Sequence, residues 1–367
     1  MSTNLNKLNN HSFFMDLALK QAHRNIGNTY KNPSVGCVIT KDNKLISAAS
    51  TSLNGRPHAE HNAINFCKTN FDRSNIYITL EPCSHRGKTS PCVNKIIKNK
   101  FKKVFFSVKD PDLRSYNKSI IRLRKNNIAV NTGISYQKIS DFYRSYFISK
   151  NDELPFVTCK VAASKDFYTI NKRSKWITNF YSRGRVHLLR SYHDCIMTSS
   201  RTIIKDNSLL SCRINGLYDR SPSRIILDNK LKIPIKSRVI KDNFKKGTII
   251  FYNKSDKKKI KLLKSYGINL FKIPLDENGN LDLIKALYKT KRLGFSRIFL
   301  ESGIKLTTSF FKKNLIHDFK LFISDTNLNN NGSGNIKYYY KTFLRNKKAN
   351  IEKINLFGDK FISYRIK

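Results

Sequence analysis

The sequence is poor in acid. Against 70 Lys and Arg it sets only 25 Asp and Glu over 367 residues, a formal net charge of +45. It lacks any run of the roughly 18 apolar residues that a membrane span requires. Its first twelve residues are polar and hold no apolar signal core, so the expectation is a cytoplasmic chain with no membrane partner. Its 15 Gly and 9 Pro are too few for a collagen-like or low-complexity chain. Seven Cys, an odd number in a large chain without an export signal, argue against a disulfide framework. No G-x-G-x-x-G follows any apolar run, so the standard dinucleotide fingerprint is missing.

Hydrophobic residues at 40% suffice for packed cores. With domains of about 100–200 residues, the length points to two. The basic residues are scattered, and Asn is abundant. Runs such as Lys257-Lys258-Lys259 are short, and no long basic arm exists. Lys and Asn together are what a drifted, A+T-rich coding sequence yields; a charge selected for polyanions is the alternative. Either field attracts small anionic substrates.

Through residue 150 the pattern is layered α/β. Phe14, Leu17, Ala18 and Gln21 share a side of a helix over Phe13–Ala22. Val35–Ile39 is an apolar strand that turns at Lys41-Asp42-Asn43 into Leu45–Ala49, a hairpin. A helix is expected over Ala59–Lys68, strands over Ile76–Leu80 and Val104–Val108, and between them a helix with Val93, Ile96 and Ile97 on one face.

The chemistry concentrates in Pro57-His58-Ala59-Glu60 and in the string Leu80 to Cys92. One imidazole and two thiolates, His58, Cys83 and Cys92, are the ligand set of an open zinc site. Ser90 reads as an N-cap and Pro91 as a first helical residue, which puts Cys92 in a first turn where the helix dipole lowers a thiol pKa. Cys83, after a Pro and a strand, is expected to open a helix as well. Glu60 lies about 200° around an ideal helix from His58. The two therefore converge only at a helix end, where Glu60 could move protons for an activated water. The pattern follows the H-x-E…P-C-x-x-C signature of zinc deaminases, but with eight residues between the cysteines rather than two. His61 and His85 are read as neighbours, because three protein ligands suffice.

These strings, with Asn32-Pro33-Ser34-Val35-Gly36-Cys37-Val38, the insert Ser84 to Pro91 and Asp110-Pro111, resemble the bifunctional riboflavin biosynthesis deaminase–reductase family. The resemblance implies that His58, Cys83 and Cys92 bind zinc, that Glu60 is the proton donor and that Asn32 contacts a pyrimidine substrate. The chain departs from the family at Lys31 (usually Pro), at Thr51 (commonly His) and at Asn117 and Ser119, which replace two glycines.

Tyr136–Ile148 reads as a helix, and the polar break Asn151-Asp152-Glu153 puts a boundary near residue 150. Strands are expected over Phe156–Ala162, Cys195–Thr198, Arg224–Leu227, Thr248–Tyr252 and Arg297–Leu300, with helices over Arg183–Ser191 and Leu281–Leu293. That is a second α/β domain. The stretch after Thr326 carries no signal.

The resemblance continues through Lys160–Ser164, Ser174–Thr178, Asp194–Met197, Arg224–Asp228 and Glu301-Ser302-Gly303, the family's reductase half. It implies an α/β chain with a cytidine-deaminase-like domain over 1–150 and a dihydrofolate-reductase-like domain over 151–367. NADPH would contact Ala162, Trp176, Thr202, Asp206, Asn229 and the Gly303-Ile304-Lys305-Leu306 turn. Substrate would contact Ser174, Arg190, Leu210, Arg213 and Glu301. Gly303 after a buried strand lets backbone N–H groups approach a phosphate, Arg190 and Arg213 suit a sugar phosphate, and Glu301 suits ribityl hydroxyls. Trp176 has simple core packing as its alternative.

Two segments depart from the family here. Phe167 and Tyr168 replace a Gly and an Arg, and Lys205-Asp206-Asn207-Ser208 replaces A-D-D-P. Phe167 is expected to strain a turn that needs positive φ. The implied activity is zinc-dependent deamination of a phosphoribosylated diaminopyrimidinone, followed by NADPH-dependent reduction of the ribosyl to a ribityl chain in a homo-oligomer. The alternative is a nucleic-acid deaminase of the tRNA type with a non-catalytic second domain, which the charge and the shared motif favour and the insert opposes.

Overall fold

The computed structural model describes residues 2–67, 69–243 and 247–367. The chain divides into two compact units, one up to Glu153 and one from Leu154 on. No helix among the described residues is long and apolar enough to cross a membrane.

The first unit runs α1 (Ser2–His23), β1 (Gly36–Lys41), β2 (Lys44–Ser50), α2 (Ala59–Asn65), β3 (Asn75–Leu80), α3 (Cys92–Lys98), β4 (Lys103–Val108), α4 (Lys118–Lys125), β5 (Ala129–Thr132) and α5 (Tyr136–Asn151). Its sheet order is β2-β1-β3-β4-β5. The hairpin β1–β2 is antiparallel, as is β1 to β3, whereas β3, β4 and β5 run parallel. Asp42 and Asn43 hold positive φ (50° and 59°), the conformation a tight hairpin turn needs. Both faces of the central strands are covered, so Ile76, Tyr77, Ile78, Val104 and Phe106 are fully buried. Gly36 lets α1 lie against β1, because a Cβ there would strike the Ala18 carbonyl. The helix expected to reach Lys68 ends at Asn65, and Lys68 lies outside the described residues.

The second unit runs β6 (Phe156–Ala163), β7 (Tyr168–Asn171), α6 (Phe180–Ser191), β8 (Cys195–Ser199), α7 (Ser200–Asp206), β9 (Ser223–Leu227), α8 (Arg238–Lys241), β10 (Thr248–Tyr252), α9 (Lys257–Ser265), β11 (Asn269–Lys272), α10 (Leu283–Arg292), β12 (Arg297–Glu301), α11 (Ile304–Lys312), β13 (Asp318–Ile323), β14 (Gly332–Asn335), α12 (Lys337–Leu344), β15 (Ala349–Ile351) and β16 (Lys360–Arg365). The large sheet has the order β11-β10-β9-β8-β12-β6-β13-β16-β15. Its strands from β11 to β13 are parallel, and β16 and β15 close it antiparallel. The stretch after Thr326 thus supplies two strands of the main sheet and, in β14, a partner for β7.

Open parallel sheets bind ligands at the carboxyl ends of their strands. Those ends carry Ala163, Ser199, Leu227 and Glu301. Phe167 does adopt positive φ, at 69°, in the turn leading into β7.

Candidate active sites

The first site forms where two short helices begin. His58 is the N-cap of α2 in extended conformation, with φ −70° and ψ 161°, and Glu60 lies in the first turn. Cys92 is the first residue of α3. Pro91 occupies the cap position and Ser90 makes no cap, contrary to the sequence expectation. Cys83 opens no helix either; it sits in the irregular segment after β3. Its sulfur is held instead by the Cys92 backbone N–H, which donates to Cys83 Sγ at 3.3 Å.

His58 Nδ1 lies 3.6 Å from Cys83 Sγ and 3.4 Å from Cys92 Sγ. The three donor atoms fall within 4.8 Å of one another, and among the described residues no other such group of His, Cys, Asp and Glu occurs. A tetrahedral zinc with N at about 2.1 Å and S at about 2.3 Å sets such neighbours about 3.6 Å apart. The donor set and its spacing fit zinc. The Cys83 thiol is pulled down to about 4, chiefly by the hydrogen bond from Cys92, against the opposing effect of burial and with help from His58. Glu60 is buried, its carboxyl pushed up to about 7 by burial and drawn back in part by His58, and it is in hydrogen-bonding contact with the Cys92 thiol. A buried carboxyl beside these three donors, its pKa raised by burial, is suited to carrying a proton in both directions.

His61 and His85 turn elsewhere. His61 faces Asn65 and Lys95, and His85 Nδ1 lies 2.9 Å from Ser115 Oγ. Asn32 is half-buried, and its Nδ2 donates to the Gly55 carbonyl at 2.8 Å.

Sequence reasoning gave Glu81 no role. Its buried carboxylate accepts from Ser119 Oγ (2.6 Å), the Asn117 N–H (3.2 Å) and the Asp110 N–H (3.3 Å), and so ties the 110–119 loop to the strand end that leads to Cys83. Asn117, in place of a glycine, holds φ at 59°. Tyr143 of α5 was also missed; its buried hydroxyl bridges Thr79 Oγ1 (2.6 Å) and the Ser34 carbonyl (3.1 Å). Neither has a local signal, because both act across tens of residues.

The second site lies at the carboxyl edge of the parallel strands. Ala162 is the penultimate residue of β6, Thr202 and Asp206 stand on α7 after β8, and Asn229 follows β9. Gly303 caps α11, with Ile304, Lys305 and Leu306 in the first turn. Open space surrounds the position a Gly303 Cβ would take, so an anionic group can approach the N–H groups of this nine-residue helix. That cradle fits a dinucleotide phosphate. Trp176 is exposed rather than core, with the Arg183 guanidinium 4.6 Å and the Lys175 ammonium 5.5 Å from its ring centroid.

Of the expected substrate contacts, Arg190 and Glu301 meet each other. Arg190 Nε donates to Glu301 Oε1 at 2.6 Å and Nη2 to Oε2 at 3.1 Å, while Nη1 donates to the Ser211 carbonyl at 2.9 Å. The Arg190 fork expected to grip a phosphate is thus engaged with the carboxylate expected to hold hydroxyls. Arg213 shares their electrostatic neighbourhood; burial, then Arg190, lowers its pKa. Leu210 is buried with φ of 53°, a strained conformation for this residue. Ser174 sits on an exposed turn and accepts from the Trp176 N–H at 3.2 Å.

Two further groups join this cluster without having been singled out. Lys160 Nζ approaches Glu301 to 3.9 Å. His187 Nδ1 lies 2.9 Å from the Ser211 carbonyl oxygen and 3.2 Å from the Arg213 backbone nitrogen, and the ring is pulled down to about 4 by burial and then by Arg190 and Arg213. Burial alone would raise the Glu301 pKa, but Arg190 and Lys160 overcome it and hold it at about 2.

Comparison with known proteins gives two family matches. Residues 8–108 match the cytidine and deoxycytidylate deaminase zinc-binding region, and residues 155–328 match the RibD C-terminal domain. The chain is 31% identical to the riboflavin biosynthesis protein RibD of Aquifex aeolicus, over 85% of this chain and 86% of that protein. It is 32% identical to the same protein of Bacillus amyloliquefaciens, over 85% and 84%. Among solved structures it resembles a Thermotoga maritima protein described as a diaminohydroxyphosphoribosylaminopyrimidine deaminase/5-amino-6-(5-phosphoribosylamino)uracil reductase. That match has 25% identity, a TM-score of 0.83, and covers 98% of this chain and 99% of that one.

Proposed function

Because the chain belongs to the riboflavin biosynthesis protein RibD family, a bifunctional deaminase and reductase that uses zinc and NADPH, we propose how its own residues divide the two reactions. The first unit hydrolyses an amine from the ring of 2,5-diamino-6-(5-phosphoribosylamino)pyrimidin-4(3H)-one. His58, Cys83 and Cys92 would hold the zinc. When bound there, the metal supplies Lewis-acid activation that brings the pKa of water to about 7. Glu60 takes one proton from the attacking water and delivers it to the ring nitrogen, then carries the second proton of that water's oxygen to the amine, which leaves as ammonia. Asn32 orients the pyrimidine.

The second unit reduces the opened ribosyl group of the deaminated product to ribityl. NADPH supplies the hydride. Thr202, Asp206, Asn229 and the first turn of α11 would hold the cofactor, with Ala162 and Trp176 as further contacts. Arg213 faces the substrate phosphate, and the Arg190–Glu301 pair with Lys160 shapes the polar wall against which the sugar lies, with Ser174 and Leu210 at its margin. The permanent positive charge of Arg213 and the excess of cations over carboxylates in this cluster suit a phosphorylated substrate.

The single observation that carries the reading is the meeting of one imidazole and two thiols within 4.8 Å beside a buried carboxyl. The nucleic-acid deaminase with a silent second domain is not favoured, because residues 155–328 match a reductase family. The family resemblance also favours a cytoplasmic homo-oligomer, which light scattering on the purified chain tests. The decisive experiment incubates the protein with the diaminopyrimidine nucleotide, with and without NADPH, and identifies the products by mass. The deaminated ribosyl compound is expected without NADPH and the ribityl compound with it. No mass change in either arm overturns the reading.

A further inference from the structure

The loop that carries Asn32 is sewn to the turn that precedes His58, and the seam runs through Gly55. The Asn54 N–H donates to the Asn28 carbonyl at 2.8 Å, the Asn32 N–H to the Thr29 carbonyl at 3.1 Å, and Thr29 Oγ1 to the Asn32 carbonyl at 2.7 Å. Asn32 Nδ2 closes the seam on the Gly55 carbonyl at 2.8 Å.

Gly55 is buried and glycine-specific on two independent grounds. Its φ is +83°, in the left-handed region that side chains resist. A Cβ there would stand 2.5 Å from the Thr29 carbonyl oxygen, 2.8 Å from Asn32 Nδ2 and 3.0 Å from Asn32 Cβ. The intrusion therefore falls on Asn32 itself and on the residue that anchors its backbone.

The same contact decides which way the Asn32 amide points. A carbonyl only accepts, so Gly55 demands the NH2 end; a flipped amide would set two oxygens against each other. With Nδ2 engaged, Oδ1 is left as the acceptor. We propose that Gly55 is a positioning residue for deamination, whose carbonyl fixes the Asn32 amide so that Oδ1 accepts from an N–H edge of the pyrimidine. The proposal rests on the reading of Asn32 as a substrate contact.

The test compares Gly55→Ala, Asn32→Ala and the double variant in the full-length chain, with zinc content and reductase rate as controls. Gly55→Ala is expected to keep one zinc per chain and the wild-type reductase rate, while kcat/KM for deamination falls about 10²-fold, mostly through KM. Since Gly55 acts through Asn32, the double variant is expected to be no worse than Asn32→Ala. A wild-type KM for Gly55→Ala, or additive losses in the double variant, overturns the proposal. If Gly55→Ala loses its zinc, Asn32→Asp decides. It keeps an acceptor oxygen, exchanges the NH2 bound to the Gly55 carbonyl for a second oxygen and adds a negative charge, so a raised KM supports the proposal and a wild-type KM overturns it. Wild-type kinetics for Asn32→Ala instead sink the reading of Asn32 itself, whatever Gly55 does.

Discussion

Arg190 and Glu301 form a two-pronged ion pair, Nε to Oε1 at 2.6 Å and Nη2 to Oε2 at 3.1 Å, between helix α6 and the carboxyl end of strand β12. Their side chains are each only 11% exposed. A pair buried this far is costly to break on one side, because the survivor is left charged and unpaired.

That pair makes the second unit sensitive to acid. Glu301 is held at about 2 in the folded chain, against about 4.3 when unfolded. A depressed carboxylate stabilises the fold above its unfolded pKa, and the contribution fades as the pH falls from about 5 towards 2. A shift of this size corresponds to on the order of 3 kcal/mol. Glu301→Gln is therefore expected to be less stable than wild type at pH 7, with the gap closing as the pH approaches 2–3. Trp176, the one Trp of the chain, reports on this unit in urea titrations followed by fluorescence. A gap independent of pH contradicts the assignment.

Removing the metal separates the two activities. The three proposed ligands, His58, Cys83 and Cys92, all lie in the first unit, so a chelator is expected to abolish ammonia release and leave NADPH oxidation with the deaminated substrate intact. Adding zinc back restores deamination. Loss of both activities together contradicts the division of labour.

Arg213→Ala tests the phosphate side of the reductase. A lost charged hydrogen bond of about 1.5–3 kcal/mol amounts to a rise in KM of about 10–100-fold for the phosphorylated substrate, with kcat nearly unchanged. An unchanged KM places the phosphate elsewhere.

Gly36→Ala tests the packing that supports the first site. A Cβ there meets the Ala18 carbonyl of α1, and rigid backbone on both sides leaves no cheap relief. A loss above about 3 kcal/mol is expected for the first unit, measured by urea unfolding followed by deaminase activity, with reductase activity surviving to higher urea.

Much of this was legible in the sequence because it is local. Short apolar runs such as Ile76–Leu80 and Cys195–Thr198 have the length and composition of buried strands, and they are strands. Spacing allowed His58 and Glu60 to converge only at a helix end, and α2 begins there. The positive φ of Phe167 was expected only through the family resemblance, which implies a glycine at that position.

What stayed hidden is non-local. The Arg190–Glu301 pair joins residues 111 apart, and no spacing rule links them. Strand β16 exists because Phe361, Ile362 and Tyr364 pack beside β13, a pairing that depends on the whole sheet. Ser90 looked like a helix cap, but Pro91 at the cap position starts α3 without side-chain help. Cys83 needed no helix, because the Cys92 N–H stabilises its sulfur from across the insert.

The most direct measurement is ammonia release by zinc-loaded Glu60→Gln. This variant keeps the shape of the side chain and removes its ability to carry a proton. One zinc per chain with deamination reduced by about 10²–10⁴-fold, and NADPH oxidation at the wild-type rate, is the expected result. Ordinary ammonia release would contradict the proton-carrying role of the carboxyl beside His58, Cys83 and Cys92.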